Sequence, residues 1–397
     1  MAAELGSTAA WAQLNVRLGA GMLREAAALT TQIGGEVIPS DKPHSLAMSI
    51  RQPVGVVLAM APWNAPIILG LRAVTTPLAC GNTVVFKASE MCPATHRLIG
   101  EVLCESELPP GTVNVISNAP ENAAQVVEAL IAHRSVRRIN FTGSTRVGRI
   151  ISQYAARHLK RVLLELGGKA PLLVLEDADL DEAVKAATFG GFMNQGQICM
   201  STERVVVEAR VADAFVAKFA ARAKTLLAGD PQSEKVVLGP LVCAEAAEKI
   251  QQLIQDALAK GATLGAGGNV NGSVVDATIL DHVTAAMRIY GEESFGPIVV
   301  VVRVNGVEDA IRVANDTEYG LSAAVFSRDV GRALEIARRI ESGICHINGP
   351  TVQDEPQMPF GGLKGSGYGR FGGKAGIDEF TELRWLTVAT QPQPYPF

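Results

Sequence analysis

The chain has 397 residues, 48% hydrophobic and 19% charged, with 36 Lys and Arg against 40 Asp and Glu. At about 150 residues per domain, that length predicts two or three domains with ample apolar material for their cores, which excludes a disordered ground state. The net charge of −4 lacks the basic excess of duplex-binding domains, so nucleic acid is not an expected partner.

Over residues 8–33, apolar side chains (Trp11, Leu14, Val16, Leu18, Met22, Leu23, Leu29) recur largely at three- and four-residue intervals, which predicts an amphipathic helix. A polar stretch, Pro39–His44, follows. Short Val- and Ile-rich runs then alternate with helical ones: Val54–Met60, Thr83–Lys87, Thr112–Ile116 and Arg138–Phe141. A second alternation begins after Glu165, with strands over Leu172–Leu175 and Arg204–Val207 and helices over Leu180–Phe189 and Val211–Leu227. Such alternation predicts βαβ units on parallel sheets, hence an α/β protein with two such domains. Gly361–Gly376 holds eight glycines in sixteen residues and is expected to be a flexible connection rather than a regular helix. Phe380–Phe397 reads as an edge strand ending in Pro-rich sequence.

The longest apolar runs, Pro53–Pro62 and Ile298–Val302, fall far short of the ~20 residues of a membrane-spanning helix. With no secretory leader and six cysteines too sparse for a disulfide scaffold, a reduced, cytoplasmic compartment is expected. The six histidines show no ligand spacing, so no metal is expected, and no G-x-S-x-G elbow supports a serine nucleophile.

Three residues carry candidate chemistry. Cys199 lies in the polar, glycine-bearing stretch Asn194-Gln195-Gly196-Gln197-Ile198-Cys199, where a thiol reaches substrate and nearby amides can serve an oxyanion; the alternative is a small buried hydrophobe. Glu165 ends the apolar run Val162-Leu163-Leu164, where desolvation raises a carboxyl toward general-base range; the alternative is a structural pair with Lys169. Asn64, between Pro62 and Pro66, either caps the next helix or donates to an oxyanion. The turn Gly143-Ser144-Thr145 follows a strand and opens a helix, so it is a phosphate cradle or an ordinary βα turn. Lys87-Ala88-Ser89-Glu90 ends another strand, where an acid can accept from ribose hydroxyls or simply be solvated.

In order along the chain, Pro62-Trp63-Asn64, Lys87-Ala88-Ser89-Glu90, Phe141-Thr142-Gly143-Ser144-Thr145, Glu165-Leu166-Gly167-Gly168-Lys169, Gly196-Gln197-Ile198-Cys199 and Glu293-Ser294-Phe295-Gly296-Pro297 resemble the motifs of the aldehyde dehydrogenase superfamily. The chain is most similar to the branch acting on salicylaldehyde, benzaldehyde and vanillin, through Pro93-Ala94-Thr95-His96, Gln197–Arg204 and Thr381–Leu386. The resemblance implies a Rossmann-type NAD-binding domain (1–38 and 54–165), an α/β catalytic domain (166–363) and a small β oligomerisation arm (39–53 and 380–397) that joins a homodimer or homotetramer. It also implies that roughly the first hundred residues of a typical member have no counterpart here.

By the same resemblance Cys199 is the nucleophile, Glu165 the base and Asn64 an oxyanion donor. Lys87 and Glu90 hold the adenosine ribose, Gly143 and Ser144 the diphosphate, and Glu293 with Phe295 the nicotinamide ribose. An acid near the ribose 2′-hydroxyl favours NAD over NADP. Ile68 and Arg72 share a helix face beyond Asn64 and resemble tunnel positions; with Met193, Ile198, Met200 and Phe360 they are expected to select an aromatic aldehyde, Arg72 by stacking on or hydrogen bonding to its ring. The alternatives are an Arg72 exposed at the helix surface, a CoA-acylating relative, which commonly lacks the glutamate base, and a non-catalytic NAD-binding or oligomerising protein.

Overall fold

A computed structural model describes residues 1–233 and 235–397. The helix predicted over 8–33 runs Ala9–Leu29, capped where the Thr8 hydroxyl accepts from Trp11 N–H. Its buried stripe, Trp11, Asn15, Gly19, Met22, Ala26 and Leu29, keeps the three- and four-residue spacing and packs on the helix Pro66–Ala79. Gly19 is the point of closest approach, since a Cβ there would stand 2.9 Å from Ile67 and Leu71 side chains.

Strands β1 (Glu36–Ile38) and β2 (Ser45–Pro53) form an antiparallel hairpin around the polar 39–44 turn. Next come β3 (Val56–Met60), β4 (Thr83–Lys87), β5 (Val113–Ile116), β6 (Val136–Thr142) and β7 (Arg161–Glu165), all parallel, in the spatial order β7-β6-β3-β4-β5. The chain runs outward from β3 to β5 on one side, then resumes with β6 on the other. That reversal opens a crevice at the carboxyl ends of β3 and β6, where doubly wound sheets bind ligands.

The second sheet uses β8 (Ala170–Val174), β9 (Thr202–Glu208), β10 (Thr263–Ala266), then, past the small hairpin of β11 (Val270–Asn271) and β12 (Val274–Val275), β13 (Thr278–Asp281), β14 (Ile298–Val304), β15 (Ser322–Phe326) and β16 (Ile344–Ile347). Its order is β10-β13-β14-β9-β8-β15-β16, with only β10 antiparallel. The central strands are buried on both faces, as their unbroken Val and Ile runs require.

The glycine-rich segment departs from expectation. Instead of a flexible connection, it forms β17 (Gly367–Tyr368), antiparallel on β7 beside Glu165, and then opens the helix Gly373–Phe380. Glycine is needed at Gly367, whose φ is +102° and whose Cβ would lie 2.1 Å from the Leu164 carbonyl. The last strand, β18 (Thr381–Ala389), pairs with β2 along nine residues and is the edge predicted, with Leu383, Trp385 and Val388 exposed. Among the described residues no helix is long and apolar enough to cross a membrane.

Candidate active site

The carboxyl edge of the first sheet faces the amino edge of the second. Between them lies a cleft of about 260 Å³, lined by Trp63 and Asn64 after β3, Thr142, Gly143 and Ser144 at the end of β6, Glu165 at the end of β7, Cys199 before β9, and Glu293 and Phe295 before β14. Seven of the sequence candidates, Asn64, Gly143, Ser144, Glu165, Cys199, Glu293 and Phe295, line it, brought together from five separate segments.

Cys199 owes its position to strained backbone. Asn194, Gln195 and Gly196 have φ of 49°, 55° and 68°, three successive left-handed residues of which only the last is glycine. The turn is held from both sides: Ser201 Oγ donates to the Gly196 carbonyl, and Thr351 Oγ1 donates to the Met200 carbonyl at 2.7 Å. A Cβ on Gly196 would stand 2.1 Å from the Gly296 carbonyl, so the cysteine turn and the Glu293–Pro297 turn are in direct backbone contact.

Asn64 is not the cap of the following helix, whose cap residue is Ala65 with no side-chain bond. Its Nδ2 instead donates to the Gln197 carbonyl at 2.9 Å, which leaves the second amide hydrogen for the cleft that Asn64 lines. Two residues to which the sequence gives no role at Asn64 fix it: Trp11 Nε1 and Asn194 Nδ2 each donate to the Asn64 carbonyl at 3.0 Å.

Glu165 is fully buried and is not paired with Lys169. Lys169 bonds Glu203 at 2.5 Å, and Glu203 also accepts from the Ser294 and Phe295 N–H groups. Both Glu165 carboxylate oxygens lack a hydrogen-bond partner. Burial raises its pKa to about 7; the nearby Cys199 thiol, Arg72 and the Thr142 hydroxyl pull the other way without reaching bonding geometry at the carboxylate. The Cys199 thiol keeps some exposure to the cleft, yet protein crowds it closely. Desolvation and the Glu165 charge push its pKa well above the usual thiol value, while Arg72 opposes them. A thiol this reluctant to ionise needs a base, and the neighbouring base is a carboxyl poised near neutrality.

Beside the crevice, Ser144 caps the helix Thr145–Arg157, its hydroxyl accepting from Val147 N–H, and Gly143 and Ser144 line the cleft at that helix start. Lys87 and Glu90 form an ion pair with each other, and Asn118 Nδ2 donates to the same Glu90 oxygen. These contacts hold the Glu90 carboxyl below its ordinary pKa against the opposing effect of burial. Glu293 accepts from Gly168 N–H at 2.8 Å, and a Cβ on Gly167 would collide with its carboxylate. Burial first, then the Glu203 charge, raises its pKa to about 7. Phe295, at φ 54°, meets Trp63 edge to face at 5.8 Å.

A profile of the aldehyde dehydrogenase family matches residues 1–386. The chain belongs to the aldehyde dehydrogenase family. It is 65% identical over 395 residues to a vanillin dehydrogenase of Pseudomonas fluorescens, covering all of this chain and 82% of that one. It is 40% identical over 377 residues to a benzaldehyde dehydrogenase [NAD(+)] of Pseudomonas putida, covering 94% and 77% of the two chains. Its fold superposes with a TM-score of 0.97, at 55% identity over 99% of this chain and 82% of the other, on the crystal structure of a salicylaldehyde dehydrogenase from Pseudomonas putida G7 complexed with salicylaldehyde.

In this aldehyde dehydrogenase the six substrate candidates fall outside the Cys199 cleft itself. Ile68, Ile198, Met200 and Phe360 belong to one buried apolar cluster, against which Met193 and Cys199 pack. Met193 also lines a second cleft of about 580 Å³ with Trp11, Phe189 and Phe192. Arg72 is buried, not exposed at the helix surface: its guanidinium stacks 4.1 Å over Phe360 and forms an ion pair with Asp354. Sequence reasoning missed Asp354, Trp11, Asn194 and the Lys169–Glu203 pair. Glu203 and Arg204 stand just before the apolar run Val205-Val206-Val207, which signals buried charge there, although not which partner each one takes. Among the described residues no three metal-ligating side chains gather.

Proposed function

We propose that this enzyme oxidises an aromatic aldehyde, salicylaldehyde or a related hydroxybenzaldehyde or benzaldehyde, to the carboxylic acid with NAD. The observation that carries the reading is an unpaired, fully buried Glu165 beside the Cys199 thiol. The names of the relatives support the aromatic class. The crevice suits a dinucleotide: first-turn N–H groups at Ser144 for the diphosphate, charged Glu90 for ribose hydroxyls, and Glu293 behind Gly167 for the second ribose.

When bound, NAD supplies the hydride acceptor. Cys199 gives its proton to Glu165 and attacks the carbonyl carbon, while Asn64 Nδ2 and the Cys199 N–H donate to the oxyanion. Loss of hydride leaves a thioester on Cys199. Glu165 must first return the cysteine proton to solvent; it then takes a proton from the water that attacks the acyl carbon, and as the adduct collapses to the acid it passes that proton to the departing Cys199 thiolate. A charged Glu90 repels a 2′-phosphate, which favours NAD over NADP.

NADH formation measured across aromatic and aliphatic aldehydes, with NAD and NADP and without CoA, tests the reading. The expected result is a free aromatic acid and a kcat/KM highest for benzaldehydes with NAD. Equal or better turnover of short aliphatic aldehydes overturns the substrate class.

A further inference from the structure

Two groups that line the Cys199 cleft, Glu293 and Phe295, flank Ser294 in the turn before β14. Phe295 is left-handed at φ 54°, a conformation that a bulky side chain keeps only where its surroundings impose it. The two amides at the centre of the turn are held by one carboxylate. Glu203 Oε1 accepts from Ser294 N–H at 2.9 Å and from Phe295 N–H at 3.0 Å, and Oε2 accepts from Ser294 N–H at 2.7 Å. Among the described residues neither N–H has another partner. Lys169 Nζ donates to Oε2 and also to Ser294 Oγ at 3.2 Å. The Lys169 and Glu203 side chains are 0% and 4% exposed, so these charge-assisted bonds lie out of reach of water. The residue before Lys169 grips the same turn, Gly168 N–H donating to Glu293 Oε1 at 2.8 Å.

A buried ion pair is weak evidence for stability, because two well-packed apolar side chains can do as well. What an apolar pair cannot do is fix two consecutive amides. We propose that Glu203 is a positioning residue for the coenzyme: by holding the Ser294 and Phe295 amides it sets where Glu293 and Phe295 stand in the cleft, and thereby where the nicotinamide end of NAD lies relative to Cys199. Lys169 balances the buried charge that this task requires. The inference rests on the reading given above in which Glu293 meets the second ribose. Hydride transfer tolerates little misplacement of its partners, so the turn's geometry enters the reaction although Glu203 touches neither substrate nor coenzyme.

The test compares Glu203→Gln, Glu203→Asp and the double variant Lys169→Met/Glu203→Gln with wild type. The double variant removes both charges, which spares it an unpaired buried ion. Glu203→Asp keeps the charge for Lys169 but withdraws the carboxylate from the turn by one methylene. Three quantities are read: KM for NAD, melting temperature, and coenzyme-free hydrolysis of 4-nitrophenyl acetate, which acylates Cys199 without hydride transfer. In each variant that folds, KM for NAD should rise by roughly 10- to 100-fold with ester hydrolysis retained. The double variant should melt above Glu203→Gln yet keep the raised KM. A KM for NAD that returns to the wild-type value as the melting temperature recovers, or that is unchanged in Glu203→Asp, overturns the proposal and leaves Glu203 as half of a structural pair. Ester hydrolysis falling in step with NAD-linked turnover also overturns it, since Glu203 would then sustain the cysteine turn and not the coenzyme. Failure of the ribose reading looks different: Glu293→Gln would leave KM for NAD unmoved, and the proposal falls with it.

Discussion

The two sheets are built alike, mostly parallel strands joined by helices, yet they present opposite ends to the cleft. The first offers its carboxyl edge, where β3, β6 and β7 stop at Asn64, Gly143 and Glu165. The second offers its amino edge, where the turns before β9 and β14 bring Cys199 and Glu293. A carboxyl edge with a topological reversal opens a crevice by default. An amino edge has no such opening, so its groups must be held by other means: a left-handed run at 194–196 and a buried Lys169–Glu203 pair tied to Ser294 and Phe295. The first edge is shaped by topology and the second by strain and buried charge.

Substitutions on the two edges should therefore differ in kind. The largest effect is expected at the second edge, where Cys199→Ala should lower kcat by at least about 10⁴-fold with NAD binding retained, as measured by NADH formation and cofactor titration. On the first edge Glu165→Gln should slow turnover by roughly 10²- to 10⁴-fold and let a thioester on Cys199 accumulate for mass spectrometry to detect. Unchanged turnover with no acyl adduct would remove Glu165 from the deacylation step. Wild-type kcat should fall as pH drops through about 7, as Glu165 takes up its proton.

Stability separates the edges again. Lys169→Met leaves Glu203 buried without its cation and should cost about 3–5 kcal/mol in urea unfolding. Glu165→Gln should do the reverse in alkaline solution. Its folded pKa of about 7 stands above the ordinary 4.5, so the native state favours the protonated form; that stability is complete below 4.5 and is lost as pH rises through 7. The glutamine variant should match wild type in acid and exceed it by up to about 3 kcal/mol near pH 8. The smallest effect is expected at Ser144→Ala, which removes one helix cap at a cost of about 1 kcal/mol. A melting temperature lowered as far as that of Lys169→Met would break the contrast between the edges.

The first edge was the more legible in sequence. Strands β3, β4, β5 and β6 match their Val- and Ile-rich runs to within two residues at each end, and Ser144 caps the helix its Gly-Ser-Thr turn announces. Glu165 could be placed at a strand end but not assigned between base and ion pair, because Lys169 follows four residues later. The choice is made by Glu203, 34 residues beyond Lys169, and no local pattern carries that. The second edge hid more. Left-handed Asn194 and Gln195 look like an ordinary polar loop, and Asp354 lies in a segment without periodicity, so its pairing with Arg72 across 282 residues had no local signal. Gly361–Gly376 misled for a related reason: its glycines serve close backbone approach at Gly367, not freedom of movement.

The backbone touch between Gly196 and Gly296 has a mechanical consequence. With no room for even a methyl group between them, the sulfur and the Glu293 carboxylate cannot drift apart independently. Any tilt of one turn drags the other, so the spacing between the Cys199 thiol and the Glu293 carboxylate is kept by two adjoining turns at the amino ends of β9 and β14 rather than by closure of the two halves of the molecule.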